Sequence, residues 1–151
     1  MIDKVAMGKK ARRDGMAFER KVREDLRSEG WIVDKWTNNV EFEIKDSIIS
    51  EKFNRLIPIR NIQGRLHPAK SFRGITRSNG FPDFIAFREI SSCDKSYQII
   101  VVESKMNGVL SKVEKEKCQW YLDNNIFSKI LIASKGIGRN ADIVYKEFER
   151  K

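Results

Sequence analysis

Residues 81–105, FPDFIAFREISSCDKSYQIIVVESK, decide the fold of this chain. Two runs within it, Asp83 to Arg88 and Tyr97 to Glu103, are rich in β-branched and aromatic residues, with the polar stretch Ser91 to Ser96 between them. This pattern predicts an antiparallel hairpin. With a turn centred on the polar stretch, facing residues have numbers that sum to about 187. Asp83 should then lie opposite Ser104 and beside Glu103.

The predicted pairing gathers three charged residues at one end of the hairpin. Asp83 and Glu103 converge there, and Lys105 projects from the same face as Glu103 because strand side chains alternate. Two carboxylates at the end of the apolar run Ile99 to Val102 are costly unless a cation compensates them, and Mg²⁺ suits oxygen ligands. The alternative is a surface ion pair between Glu103 and Lys105, with Asp83 merely beginning a turn.

A first helix is predicted from about Gly8 to Glu29. Phe18, Val22 and Leu26 recur at helical spacing, and Gly30 supplies the stop. Glu19 lies in line with the apolar face, so it needs a partner; an ion pair with a nearby arginine would satisfy it as well as a metal would. A strand should follow from Trp31 to Trp36.

The second half of the chain predicts two further helices and a strand. The capping box Ser111-Lys112-Val113-Glu114 opens a helix to about Asn124, Ile130 to Ala133 forms a strand, and a last helix covers about Asn140 to Arg150. The order is helix, strand, insertion, hairpin, helix, strand, helix. We therefore expect one α/β domain over residues 1–151, with a central mixed sheet flanked by helices.

The insertion at about residues 37–82 is predicted to be an elaborated loop region, with a short helix near Asp46 to Asn54. It is strongly basic, and no acid lies between Glu51 and Asp83. Such a segment suits phosphate contacts, or it is simply a solvated face. The basic residues near the N-terminus have the same two interpretations. The predicted DNA contacts are Lys9, Lys10, Arg12, Arg13, Arg65, Lys70, Arg73, Arg77 and Ser78.

The charge of the whole chain points to a polyanionic partner. The formal net charge is +9 and the isoelectric point is near 9.7, which favours nucleic acid over a membrane surface because no segment pairs a basic face with a continuous apolar one. With only two cysteines, Cys93 and Cys118, and no apparent secretion signal, we expect free thiols in a cytoplasmic protein. With a single histidine, His67, zinc fingers, His-rich metal sites and two-histidine mechanisms lose most of their candidate ligands.

Taken together, these motifs resemble the PD-(D/E)XK nuclease superfamily, and in particular archaeal Holliday junction resolvases and VRR-NUC domains. The similar segments are Phe18-Glu19-Arg20 ahead of Leu26, Gly30 and Trp31, then Gly80-Phe81-Pro82-Asp83-Phe84-Ile85-Ala86, then Val101-Val102-Glu103-Ser104-Lys105. The resemblance implies a restriction-endonuclease-like fold. It departs from the small resolvases between Trp36 and Asp83, where their connection is much shorter.

The resemblance also implies roles for individual residues. Asp83 and Glu103 would bind Mg²⁺, or Mn²⁺ in its place, with help from the Ser104 carbonyl, and Glu19 would reach the metal directly or through water. Lys105 would orient the attacking water and help to deprotonate it. Gln119, on the following helix, would lie near the metal or the DNA backbone, or it is an ordinary exposed helix residue.

The function implied is Mg²⁺-dependent hydrolysis of phosphodiester bonds by a DNA endonuclease, on branched or linear duplex DNA. Two alternatives stay open: a non-catalytic DNA-binding module on a nuclease fold, and an RNA-processing nuclease. A homodimer follows only if the substrate is a junction, because two cuts must then be paired.

Overall fold

The computed structural model describes residues 4–45, 48–50, 55–57, 61–69, 80–91, 93–138 and 141–150. Its strands form a five-stranded sheet in the order β1-β6-β7-β8-β9 and two ribbons, β2 with β5 and β3 with β4. In chain order the elements are α1 (Lys4–Ser28), β1 (Ile32–Lys35), β2 (Asn38–Lys45), β3 (Ile48–Ser50), β4 (Arg55–Ile57), β5 (Asn61–Pro68), β6 (Phe84–Ser91), β7 (Ser96–Ser104), α2 (Lys112–Asp123), β8 (Ile130–Lys135) and β9 (Ile143–Glu147).

The central sheet is mixed. Strands β7 and β8 run parallel, whereas the other neighbouring pairs are antiparallel. Helix α1 packs on one face and helix α2 on the other. The predicted α/β class with a central mixed sheet is therefore confirmed. No helix in the described part of the chain is long and apolar enough to cross a membrane.

Helix α1 forms as its apolar spacing predicts and begins earlier than expected, at Lys4. Phe18, Val22 and Leu26 are buried against the sheet. The helix ends at Ser28. Gly30 follows with a φ of 85°, which suits glycine, and the Trp31 amide closes the turn by donating to the Leu26 carbonyl. Residues 5–13 are all exposed, so the first turns of the helix lie beyond the core.

The predicted hairpin is confirmed as β6 and β7, with a register that differs by one residue. Phe84 pairs with Val102, so the next residue along, Asp83, faces Glu103 rather than Ser104. The physical reason is a bulge between Glu89 and Ser91, which adds one residue to β6. Near the turn the numbers of facing residues add up to the expected sum, as they do for Ser91 and Ser96. Beyond the bulge this sum is lower by one for the rest of the hairpin.

Alternation along β7 divides the core into two layers. Ile100 and Val102 pack toward α1, whereas Val101 packs toward α2, and each is at most 2% exposed. Burying such a side chain contributes roughly 1.5–3 kcal/mol, so this strand contributes heavily to the core. The same alternation directs Glu103 to the α2 face.

The expected C-terminal helix from Asn140 to Arg150 is wrong. The chain forms β9 instead, antiparallel to β8 at the edge of the sheet. Ile143 and Tyr145 both pack against the α1 layer, as alternate residues of a strand do, and the Tyr145 hydroxyl donates to Asp25 Oδ2 at 2.7 Å. Pairing with the open edge of β8 overrides the helical preference of the charged residues.

The described part of the insertion forms strands instead of the predicted loop region. Strands β2 and β5 pair over eight residues each to form a ribbon, and Ile48–Ser50 is a strand where a short helix was predicted. Residues 46, 47 and 51–54 of that predicted helix lie outside the described part. Alternating residues such as Val40 and Phe42, which pack in the α2 layer, explain the ribbon.

The base of the β2–β5 ribbon is seated on helix α2. Lys117 Nζ donates to Asn39 Oδ1 at 2.8 Å. Gly64 lies so close to the Trp120 indole that a Cβ atom there would overlap the ring. The ribbon is thus joined to the body of the protein near the end of the sheet at which β1 ends and β6 begins.

Candidate active site

Hydrogen bonds fix Asp83 to two consecutive residues at the end of β7, Glu103 and Ser104. The Asp83 amide donates to Glu103 Oε2 at 3.1 Å. In return, Asp83 Oδ2 accepts from the Ser104 amide at 2.9 Å and from the Ser104 hydroxyl at 2.6 Å. The other oxygen, Asp83 Oδ1, has no hydrogen-bond partner among the described residues. The pair is therefore held rigidly by backbone groups while one oxygen stays available to a ligand.

Glu103 is the one charged side chain that is buried among the described residues, with 4% of its surface exposed. Burial raises the pKa of Glu103 to about 8, the Asp83 carboxylate adds to the rise, and Lys105 works against it. A cation at this position would favour the charged form of Glu103.

Lys105 lies on the same face as Glu103, as the sequence predicts. Its Nζ is 3.1 Å from Glu103 Oε1 and 2.6 Å from Glu114 Oε1. Partial burial lowers the pKa of Lys105, but the hydrogen bond to Glu114 and the Glu103 carboxylate outweigh burial, so the net shift is upward. Lys105 is thus a cation and a hydrogen-bond donor near neutral pH, which suits orientation and charge stabilisation better than proton abstraction.

Glu114 was not predicted to belong to the site. Its side chain accepts from the Ser111 amide at 2.7 Å, and Ser111 Oγ accepts from the Glu114 amide at 3.3 Å, so the predicted capping box is confirmed. The Ser-x-x-Glu pattern identified this glutamate, but only as the start of a helix. Its contact with Lys105 lowers the pKa of Glu114 against the opposing effect of partial burial.

Glu19 approaches the pair from helix α1. Burial raises its pKa, the Asp83 carboxylate adds to the rise, and nearby cations oppose it. Two of these cations, Lys35 and Arg23, were not predicted as site residues. Within the described ranges there is no group of three or more His, Cys, Asp or Glu residues placed to hold a metal ion. Glu19 is within electrostatic reach of Asp83, and its expected role at the metal, directly or through water, stays a prediction.

The two carboxylates of Asp83 and Glu103 fit a hard divalent cation. Mg²⁺ is commonly bound through one or two protein carboxylates, with water and substrate phosphate completing its octahedral shell. Asp83, whose Oδ1 has no partner among the described residues, and Glu103, which is buried beside Lys105, would supply those two carboxylates. The observed role of Ser104 is to donate to Asp83. Its expected role as a carbonyl ligand stays a prediction.

Gln119 lies on α2, one residue after the buried Cys118. Its Nε2 donates to Asp123 Oδ1 at 2.9 Å, and Arg150 Nε donates to the same oxygen at 2.8 Å. This contact is directed along the outer side of the helix. The role of Gln119 near the metal or the DNA backbone stays a prediction.

The predicted DNA contacts divide into three sets. Lys9, Lys10, Arg12 and Arg13 are exposed on the first turns of α1, and Arg65 is exposed on β5 of the ribbon. Lys70, Arg73, Arg77 and Ser78 lie outside the described residues.

Because α1 spans 25 residues, about 37 Å at 1.5 Å per residue, it is far longer than β1, which has 4 residues. Because the tight turn at Gly30 reverses the chain, the N-terminal half of α1 extends past the end of the sheet beside which Asp83 lies.

Both cysteines are free thiols, with Cys93 exposed and Cys118 buried. Burial raises the pKa of Cys118 to about 12, and the neighbouring Glu103 carboxylate adds to the rise. Cys118 is therefore an uncharged packing residue beside the site rather than a nucleophile. His67 lies on the ribbon, 3.8 Å from Glu41.

No protein-family model, curated protein or solved structure matches this chain.

Proposed function

We propose that the chain is a metal-dependent nuclease that hydrolyses phosphodiester bonds in DNA, on a restriction-endonuclease-like fold of the PD-(D/E)XK type. The observation that supports this most directly is that hydrogen bonds fix Asp83 to Glu103 and Ser104 at the buried end of the hairpin, with the Lys105 ammonium 3.1 Å from Glu103. Two carboxylates and a lysine in this order also match the motif by which the sequence resembles that superfamily.

In this mechanism the protein supplies position and charge. Asp83 and Glu103 would hold Mg²⁺, or Mn²⁺ in its place, and the bound ion supplies Lewis-acid activation of the phosphate and of water. Lys105, as a protonated donor, would orient the attacking water and stabilise charge on the scissile phosphate. Glu19 would accept a hydrogen bond from a water near Asp83. The basic first turns of α1 and the ribbon would contact the phosphates on either side.

The test compares cleavage by the wild type with that by Asp83→Asn and Glu103→Gln, on four-way junction, flap, single-stranded and linear duplex DNA. Glu89→Gln is the matched control, because Glu89 is exposed on the same hairpin. We expect Mg²⁺-dependent cleavage by the wild type and Glu89→Gln, and at least a 100-fold loss in the other two. Activity that survives EDTA, or site variants that cut normally, would refute the mechanism. RNA oligonucleotides in the same assay test the RNA-processing alternative.

One observation favours a second candidate, a DNA-binding module without catalysis. The Lys105 ammonium lies 3.1 Å from Glu103 Oε1, so the buried carboxylate has a cationic partner within the protein itself. This candidate predicts salt-sensitive DNA binding by the wild type and no cleavage with Mg²⁺ or Mn²⁺. A homodimer, expected only for a junction substrate, and a cytoplasmic location stay predictions.

A further inference from the structure

Lys105 is the member of the site whose position most needs an explanation. Its backbone is fixed, because the Lys105 amide donates to the Ala133 carbonyl at 2.8 Å on the neighbouring strand. Its side chain is long, and a lysine side chain loses up to about 2 kcal/mol of rotamer freedom when it is held in one conformation. A catalytic lysine therefore requires contacts that restrict its ammonium group.

Two glutamate side chains from different elements contact this ammonium. The Glu103 side chain approaches from β7, and the Glu114 side chain from the first turn of α2. The contact with Glu114, at 2.6 Å, is the shorter of the two. Glu114 is itself held, because its second carboxylate oxygen, Oε2, accepts from the Ser111 amide. One glutamate thus closes the capping box with one oxygen and holds Lys105 with the other.

We propose that Glu114 is a positioning residue that holds the Lys105 ammonium beside Glu103 and so couples the start of helix α2 to the active site. Its effect on catalysis rests on the proposed nuclease function, whereas its effect on Lys105 does not. Without the Glu114 charge, the ammonium keeps a single carboxylate partner, and the side chain reaches solvent conformations in which it no longer faces the reacting phosphate. Misplacement of about 1 Å at a catalytic group costs on the order of 100-fold in rate.

Two substitutions separate the two roles of Glu114. Glu114→Gln keeps an oxygen that accepts from the Ser111 amide, so the capping box survives, but its amide group faces Lys105 and the ion pair is lost. Ser111→Ala removes the cap acceptor of the Glu114 amide and leaves the carboxylate contact with Lys105. Helix capping by itself predicts that Ser111→Ala is the more damaging variant in every assay.

The first readout is the ¹⁵N-edited NMR signal of the Lys105 ammonium, recorded at low temperature and mildly acidic pH without metal or DNA, and assigned by its absence in Lys105→Gln. An ammonium held between the Glu114 carboxylate and the Glu103 side chain exchanges its protons slowly and gives a distinct signal. We expect that signal in the wild type and in Ser111→Ala, and its loss in Glu114→Gln, although Ser111→Ala should have the lower Tm. A wild-type signal in Glu114→Gln, or its loss in Ser111→Ala, would overturn the proposal.

The second readout is the kinetics of DNA cleavage with Mg²⁺. We expect Glu114→Gln to lower kcat about 10- to 100-fold with KM within about twofold, because DNA binding does not use this residue. Ser111→Ala should keep kcat within about threefold of the wild type. Equal kcat values for the two variants would overturn the catalytic part of the proposal. If the wild type does not cleave DNA at all, the proposed function fails, while the NMR comparison still decides whether Glu114 positions Lys105.

Discussion

Glu103→Gln should stabilise the protein, and the gain should grow with pH. The buried Glu103 carboxyl has a pKa of about 8 in the folded protein and an ordinary value of 4.5. A carboxyl whose folded pKa is raised contributes stability at low pH, and that contribution is lost as the pH rises from the unfolded value through the folded one. Wild-type stability should therefore fall between about pH 4.5 and pH 8 to 9, and the neutral glutamine removes that loss.

The size of the effect follows from the shift. Each pKa unit corresponds to about 1.4 kcal/mol, so the shift from 4.5 to about 8 gives an upper bound near 5 kcal/mol above pH 9. Imperfect contacts of the glutamine amide with Lys105 reduce this, and we expect a gain of at least about 2 kcal/mol at pH 9. The gain should vanish near pH 4, where Glu103 is neutral in both states.

The assay is urea denaturation of the metal-free protein between pH 4 and pH 9, followed by circular dichroism. Glu89→Gln, on the exposed side of the same hairpin, should follow the wild-type pH dependence. Saturating Mg²⁺ should narrow the gap, because an ion that binds only the folded wild type stabilises it. A Glu103→Gln variant that is less stable than the wild type at pH 9, or a difference that does not change with pH, would refute the assignment of Glu103 as a destabilising buried acid.

Two further perturbations test the surroundings of the site. Tyr121 is fully buried, and its hydroxyl donates to the Phe81 carbonyl at 2.7 Å. Tyr121→Phe should therefore lower the free energy of unfolding by about 1–3 kcal/mol, measured by urea denaturation, and speed hydrogen exchange in the segment before Asp83. Unchanged stability would contradict this role. Replacing Arg12 and Arg13 with alanine should weaken DNA binding and reduce the slope of log K against log salt by about 0.9 for each lost phosphate contact, whereas Lys95→Ala at the far turn of the hairpin should leave the slope unchanged. Equal slopes for all three proteins would argue against a DNA-binding α1.

The parts of the fold that depend on local pattern could be predicted from the sequence. The hairpin follows from two apolar runs around a polar turn, and the capped start of α2 from Ser111 and Glu114. The predicted register of the hairpin is wrong by one residue, because no glycine or proline marks the bulge between Glu89 and Ser91 in the sequence. A bulge adds a residue without changing the composition of either strand.

The parts that depend on distant partners could not be predicted. Residues 143–147 are compatible with a helix or a strand, and the open edge of β8 decides between them. For the site, spacing identified Asp83, Glu103 and Lys105 as one group. It could not identify Glu114 as a partner of Lys105, because the loop between them determines whether the two side chains meet.

The reciprocal hydrogen bonds between Asp83 and the end of β7 also distinguish between alternative alignments of the two strands. Ile99, Ile100, Val101 and Val102 are so similar that a slip of two residues would keep apolar side chains on both faces, and packing alone discriminates weakly against it. Such a slip would separate the Asp83 amide from Glu103 and the Ser104 amide from Asp83. The hydrogen bonds at the polar end of the hairpin therefore disfavour misaligned strand pairings that packing of the apolar part alone would tolerate. For this reason the replacements used to test the chemistry should keep an acceptor for these amides, as asparagine and glutamine do.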